Sequence, residues 1–142
     1  ERSGDLAAAI ATYRRGLASD PANIEMARGL AMALLANGDA SEARRILEAL
    51  VRATPAHPIL RYQYGRALEA LGEDDAAVAA YQEAARLAPN APIPQRALGL
   101  VLLRRGDREG ARAALERAAA ADPAAWNRDE EGKRLLDSLR RR

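Results

Sequence analysis

Apolar residues recur along most of this chain at intervals of three or four positions, which is the spacing of one face of a helix. The first such series consists of Leu6, Ile10, Tyr13 and Leu17. Glycine and proline interrupt the series at regular places and divide the chain into stretches of about 12–15 residues. We therefore predict an all-α chain made of short amphipathic helices.

The interruptions repeat at a fixed distance. Glycines stand 34 residues apart at Gly4, Gly38, Gly72 and Gly106, and prolines stand 34 residues apart at Pro21, Pro55, Pro89 and Pro123. Alanines keep the same distance at Ala9, Ala43, Ala77 and Ala111. A constant period of this length predicts an array of repeated helix–turn–helix units, because each unit needs its neighbours to bury its apolar face.

The period divides the chain, as one repeat domain, into five parts: a truncated unit at 4–23, complete units at 24–57, 58–91 and 92–125, and a segment at 126–142. The truncated unit holds only a second helix, which is expected to begin after Gly4-Asp5. The sequence is therefore interpreted as a fragment or a processed form of a longer protein. The segment 126–142 is expected to be a capping helix with a basic tail, covering the apolar face of the last hairpin.

Each complete unit has a glycine followed by an acidic residue at its centre: Gly38-Asp39, Gly72-Glu73 and Gly106-Asp107. Glycine reaches the left-handed conformation that ends a helix at little cost, and an acidic residue favours the start of the next helix. Small residues also lie inside the first helices, at Ala31, Gly65 and Gly99. Since glycine inside a helix costs about 1 kcal/mol relative to alanine, Gly65 and Gly99 indicate close approach of another helix.

Composition leaves little room for catalysis. The chain has one histidine and no cysteine, which excludes a cysteine nucleophile and any mechanism based on two histidines. His57 is interpreted as a loop residue before Pro58, and no phosphate-binding loop or metal-ligand spacing occurs. We expect no enzyme active site, no cofactor and no metal site within these residues.

Charge and hydropathy limit the partners. Of the formal net charge of +2, three positive charges come from Arg140, Arg141 and Arg142, so the rest of the chain is nearly neutral. We therefore expect no nucleic-acid-binding face. No apolar run approaches the ~20 residues of a membrane span, so direct membrane insertion is not expected.

The repeated pattern resembles the tetratricopeptide repeat over residues 4–125. It is seen as Leu30-Ala31, Leu34, Ala43, Leu47 and Pro55, and again as Tyr64-Gly65, Leu68, Ala77, Tyr81 and Pro89, and as Leu98-Gly99, Leu102, Ala111, Leu115 and Pro123. One departure is that Ala27, Arg61 and Gln95 replace the family's early tryptophan. The resemblance implies a right-handed α-solenoid in which the first helix of each hairpin lines a concave groove.

By register, the resemblance places thirteen residues in this groove: Glu25, Arg28, Met32, Leu35, Ile59, Tyr62, Arg66, Glu69, Ile93, Arg96, Leu100, Leu103 and Arg104. Arginine and tyrosine are enriched at interface hot spots. We expect the groove to bind a protein or peptide partner, as an amphipathic helix or an extended segment that carries an acidic residue. Alternatively, the arginines only pair with Glu25 and Glu69 and keep the surface soluble.

The first helix lacks its hairpin partner, so part of its apolar face should be uncovered. We expect self-association through Leu6, Ile10, Tyr13 and Leu17. The main functional hypothesis is a non-catalytic interaction scaffold that is part of a larger protein. Abundant alanine and arginine suggest a bacterial source, and the sequence leaves open whether the protein is cytoplasmic or periplasmic. The alternative is a module that recruits substrates to an enzyme whose catalytic domain lies outside these residues.

Overall fold

A computed structural model describes residues 2–141 of the chain, with side chains from residue 3 onward. All regular secondary structure in these residues is helical, which confirms the predicted all-α class. The helices are α1 (Arg2–Ser19), α2 (Ile24–Ala36), α3 (Ala40–Ala53), α4 (Pro58–Ala70), α5 (Asp74–Leu87), α6 (Pro92–Arg104), α7 (Arg108–Ala121), α8 (Pro123–Asn127) and α9 (Glu130–Arg141).

The chain forms two compact units, Glu1–Glu73 and Asp74–Arg142, which we call unit 1 and unit 2. In unit 1, α1 packs against α2, α2 against α3 and α3 against α4. In unit 2, α5 packs against α6, α6 against α7, and α7 against both α8 and α9. Each helix therefore packs mainly against the helices next to it in sequence, as expected of helical hairpins joined by short turns.

The core of unit 1 is built from leucines that pack around alanines. Ala31, Ala43 and Leu47 are fully buried, and Leu30 and Leu34 are almost so. Alanine on the facing helix surfaces lets α2 and α3 lie close together, while each buried leucine contributes roughly 1.5–3 kcal/mol through the area it removes from water. The 34-residue pattern thus identified the packed positions.

Unit 2 repeats this arrangement and closes it with α9. Ala111 and Leu115 of α7 are fully buried, and Leu136 and Leu139 of α9 pack against them. Gly99 of α6 faces the same site, where an added Cβ would lie 2.8 Å from Leu115 Cγ. The close approach that glycine indicated in the sequence is therefore present at Gly99.

The turns inside the hairpins have the predicted glycine conformation. Gly38, Gly72 and Gly106 have φ values of 90°, 77° and 88°, in the left-handed region that side chains disfavour. After the last of these, Asp107 Oδ1 accepts a hydrogen bond of 2.9 Å from Gly110 N and so caps α7. His57 lies in the loop before α4, where its Nδ1 accepts a bond from Leu60 N at 3.3 Å. The one histidine is therefore used as a helix cap.

Two expected boundaries differ in the structure. Gly4 lies inside α1 rather than before it. A turn glycine acts by ending the helix before it, and no earlier helix exists in the described residues for Gly4 to end. The C-terminal segment contains α8 and α9 instead of one helix, because Asp122 and Asp129 each cap a separate helix. The capping helix α9 therefore starts at Glu130, after Trp126 of α8.

Candidate partner-binding surface

Of the residues predicted for the groove in unit 1, Glu25, Ile59 and Arg66 are exposed on α2 and α4, whereas Met32 and Leu35 also pack against the core. On α2, the buried residues Leu30, Ala33 and Leu34 occupy one side of the helix, while Glu25 on the other side is exposed. On α4, Leu60, Ala67 and Leu68 are buried, while Ile59 and Arg66 are exposed. The helices α2 and α4 contact each other, and we call their outer sides together the α2–α4 surface.

Apolar side chains are accessible on this surface. Ile59 in the first turn of α4 is 51% exposed, and Tyr62 one turn later is half-buried. On α2, Met32 and Leu35 are half-buried and also pack against the core of unit 1. Apolar side chains on both helices therefore keep accessible surface, and those of α2 are also held by the core.

The two arginines of the α2–α4 surface differ in their partners. Arg28 donates to Glu25 Oε1, with a shortest distance of 2.6 Å, so the alternative of local pairing applies to Arg28. Arg66 is exposed and, among the described residues, forms no ion pair or side-chain hydrogen bond. Arg66 is therefore a cation that no carboxylate of the described residues neutralises.

The predicted groove residues of unit 2 lie on α6. Ile93 is 58% exposed, whereas Leu100 and Leu103 are half-buried and Leu103 packs against the core that includes α9. Arg104 forms an ion pair of 2.9 Å with Asp74 of α5. Arg96 donates to Asp129 and, at 2.8 Å, to Glu131, two residues near the start of α9. This α6 surface is therefore partly engaged by the chain itself.

The sequence did not predict that Asp129 and Glu131 lie beside the predicted groove. The repeat period ends before them, so no register relates them to Arg96. The available signal was that Asp129 stands three residues before a glycine, the spacing that Asp107 and Gly110 also show at the start of α7. That signal predicts a helix start but not which arginine the carboxylate contacts.

The contact with Arg96 changes the acidity of the groups involved. Hydrogen bonding from Arg96 lowers the pKa of the Asp129 carboxyl, with a further contribution from Gly132 N–H, although partial burial acts in the opposite direction. The same contact raises the pKa of the Arg96 guanidinium. In the same way, Arg104 lowers the pKa of the Asp74 carboxyl. Both carboxylates are therefore held in the charged form.

The N-terminal face expected to be uncovered is packed in the structure. Ile10 is only 9% exposed, and Leu6, Tyr13 and Leu17 are partly buried against the core of unit 1. The expectation of a partly uncovered face is wrong at Ile10, which α2, the first helix of the next repeat, covers, whereas Leu6, Tyr13 and Leu17 keep part of their surface accessible. Tyr13 lies over Gly29 of α2, where an added Cβ would be 2.6 Å from the ring. Self-association through these four residues stays a prediction, but the burial of Ile10 removes an uncovered apolar face as the reason for it.

The described residues contain no group of three or more His, Cys, Asp or Glu side chains that could hold a metal ion. Within the same part of the chain, no helix is long and apolar enough to cross a membrane.

The fold and this surface define a class of protein, the helical-hairpin repeat protein. A family model described as "Tetratricopeptide repeat" matches residues 1–58 and 28–92, and a second model with the same description matches residues 92–117. The chain belongs to the tetratricopeptide repeat family. No curated protein matches the sequence.

Solved structures are similar over most of the chain. A crystal structure of MamA has 27% sequence identity and a TM-score of 0.79, with 96% of this chain and 83% of that chain covered. A thermophilic tetratricopeptide repeat protein of Thermus thermophilus, TTC0263, has 26% identity and a TM-score of 0.78, with 96% and 73% covered. MamA 41-end from Desulfovibrio magneticus RS-1 is 23% identical, covers 85% and 68%, and supports the fold alone, with a TM-score of 0.79.

Proteins of this family are typically non-catalytic scaffolds that bind other proteins. This chain has the fold of such a protein-interaction scaffold.

Proposed function

We propose that the α2–α4 surface of unit 1 binds a segment of a partner protein, either an amphipathic helix or an extended strand of chain, that carries at least one acidic residue. The main support is the placement of Arg66, which is exposed and has no ion-pair partner among the described residues, on the same side of α4 as the 51%-exposed Ile59. Positions seven apart lie on one helix face, so a single bound segment contacts both.

The apolar part of the surface supplies the area for binding. Ile59 and Tyr62 of α4 lie beside Met32 and Leu35 of α2 by register, and all four retain accessible surface. Methionine adapts to irregular partners, and tyrosine combines a large apolar ring with a polar group. A partner segment with apolar residues on one side therefore removes these side chains from water.

The charges select for an acidic residue in the partner. Arg66 has no carboxylate partner among the described residues. An acidic side chain of the bound protein therefore forms an ion pair with Arg66 without breaking an existing one. Arg28, by contrast, already pairs with Glu25, and an acidic partner there competes with an existing contact. In unit 2, Ile93, Leu100, Leu103 and Arg104 stay predicted partner contacts.

A peptide selection tests this function without knowledge of the natural partner. A displayed library of random 12-residue peptides is selected on the immobilised chain, and the enriched peptides are expected to combine acidic with apolar residues. Arg66→Glu should lower the affinity of these peptides about tenfold or more, because it replaces attraction by repulsion at an interface charge. Fluorescence anisotropy with a selected peptide measures the affinity.

The matched control is Arg45→Glu. Arg45 of α3 is also exposed and, in the described part of the chain, also lacks an ion pair, but it lies outside the predicted surface. The control should leave the affinity unchanged. Equal losses in both variants, or no loss in either, would contradict binding at the α2–α4 surface. The alternative of an enzyme-recruiting module stays a prediction that a catalytic motif in adjoining sequence would favour.

A further inference from the structure

Two carboxylates at the start of α9 contact the α6 surface, Asp129 just before the helix and Glu131 in its first turn. Asp129 accepts hydrogen bonds from Arg96 Nε and, at 3.0 Å, from Nη2. Glu131 Oε1 accepts from the same Nη2 at 2.8 Å. A planar guanidinium held by a carboxylate through two parallel bonds is a strong and directional contact. We call residues 129–131 the acidic segment.

The acidic segment provides carboxylate partners for Arg96, which has none on α6 itself. Arg96 stands two periods after Arg28, whose partner is Glu25 one turn earlier on the same helix. The corresponding position in α6 is Ile93, so Arg96 has no acidic residue one turn before it. Its carboxylates come instead from residues 33 and 35 positions further along the chain.

The anchoring of α9 does not depend on Arg96. Leu136 and Leu139 are buried against Ala111 and Leu115, so the apolar side of α9 is fixed to α7. Near the end of α9, Arg140 forms an ion pair of 3.2 Å with Glu116 of α7. The contacts between Arg96 and the acidic segment can therefore open while α9 remains packed.

We propose that the acidic segment is an intramolecular occupant of the α6 surface and excludes acidic partner segments from Arg96 until it is displaced. This inference deepens the proposed function, in which an arginine of a first helix receives an acidic side chain of the partner. One guanidinium with two carboxylates has a formal net charge of −1, so an acidic partner is repelled from the occupied site. When the two carboxylates are neutralised, the site has a charge of +1 and attracts the same partner.

The test neutralises the acidic segment while keeping the start of α9. Asp129 Oδ1 accepts a bond of 2.9 Å from Gly132 N, and asparagine caps helices about as well as aspartate. The variant D129N/E131Q therefore removes the charges and retains the cap. The probe is a fluorescein-labelled heptapeptide, Ala-Ala-Asp-Glu-Glu-Ala-Ala, and its control carries Asn-Gln-Gln in place of the acidic residues.

At low salt, the acidic peptide should bind D129N/E131Q about fivefold or more tightly than wild type, the size of effect expected from one partly exposed ion pair. The gain should disappear when Arg96→Ala is added to this variant and should be absent with the neutral peptide. Equal affinity for wild type and D129N/E131Q, or a gain that persists after Arg96→Ala, would overturn the proposal.

Two further variants separate charge from folding. Glu130→Gln removes the neighbouring carboxylate, which pairs with Lys133 at 3.3 Å rather than with Arg96, and should leave the affinity nearly unchanged. If tryptophan fluorescence shows that D129N/E131Q loosens α9, Glu131→Gln alone is measured, because Glu131 is 64% exposed in its side chain and does not cap the helix. A smaller gain that depends on Arg96 supports the proposal, and no gain contradicts it.

The two proposals can fail separately. Arg66→Glu changes binding on α4 of unit 1, whereas the acidic segment acts on α6 of unit 2. Peptides that respond to Arg66 but not to D129N/E131Q would leave the proposed function intact and remove this inference. The opposite result would place acidic-partner recognition on α6 alone.

Discussion

Gly99 shows how a single residue sets the contact between two helices. A Cβ at this position would lie 2.8 Å from Leu115 Cγ and 3.4 Å from the carbonyl oxygen of Ala111, and both neighbours are fully buried. We expect Gly99→Ala to lower the free energy of unfolding by about 1 kcal/mol. Overpacking costs about 1–3 kcal/mol, which exceeds the ~1 kcal/mol that alanine gains over glycine in a helix. Urea unfolding followed by circular dichroism measures the change.

The matched control at the residue scale is Gly4→Ala. Gly4 is exposed and helical, so an added methyl group there gains the helical preference of alanine at a solvent-exposed position. Its free energy of unfolding should stay the same or rise slightly. A similar increase in the Gly99→Ala variant would show that α6 and α7 do not approach as closely as the structure indicates.

At the scale of elements, the ion pair between Asp129 and Arg96 joins the start of α9 to α6 and adds to the stability of the folded chain. Because Arg96 lowers the pKa of this carboxyl in the folded chain, its stabilising effect is present above the ordinary pKa of about 4 and is lost as the pH falls through the lowered value. We expect wild type to have a higher Tm than Asp129→Asn at pH 7. This difference should shrink as the pH falls below about 4, where Asp129 of the unfolded chain takes up a proton, and should vanish below the lowered pKa of the folded chain.

Differential scanning fluorimetry from pH 3 to pH 7 measures this difference. Asp137→Asn is the control, since Asp137 lies exposed on the same helix and has no ion pair within the described residues. The control should leave the Tm close to that of wild type across the series. A Tm difference for Asp129→Asn that is constant with pH would argue against the charged contact with Arg96.

The helices differ in how much of their environment the sequence reveals. Ala43, Ala77 and Ala111 are all fully buried, as their shared period predicts, because the same position in each repeat meets the same neighbours. The burial of Ile10 was not predicted. In an array, one helix packs against both the preceding and the following helix, and the following helix α2 covers Ile10 without a preceding one. The groove residues stay predictions, because register assigns a helix face but not its occupant.

The contact of Arg96 with Asp129 could not be predicted for a different reason. It joins residues 33 positions apart through side chains, and Asp129 lies beyond the last complete repeat, where the period no longer assigns neighbours. The start of α9 is set locally by the Asp129 cap, while the partner of the carboxylate depends on how α9 packs on α7. Patterns along the chain predict where a helix starts, but they do not predict which distant side chain its capping residue contacts.

At the scale of the whole molecule, apolar burial is spread along the chain, since an array of hairpins buries its side chains between neighbouring helices. Leu47 in unit 1 and Leu115 in unit 2 stand two periods apart, and both are fully buried. They form a matched pair for testing whether the two compact units lose structure separately. Each truncation to alanine should cost about 2–5 kcal/mol.

We expect Leu47→Ala to reduce hydrogen-exchange protection mainly in α2, α3 and α4, and Leu115→Ala to reduce it mainly in α6, α7 and α9. The reason is that each helix packs chiefly against its sequence neighbours, so local opening does not require the distant hairpins to open. Exchange under native conditions, read by mass spectrometry of peptic fragments, resolves the helices. If either substitution removed protection equally from both units, the chain would unfold as one cooperative body, and nearest-neighbour packing would not explain its stability.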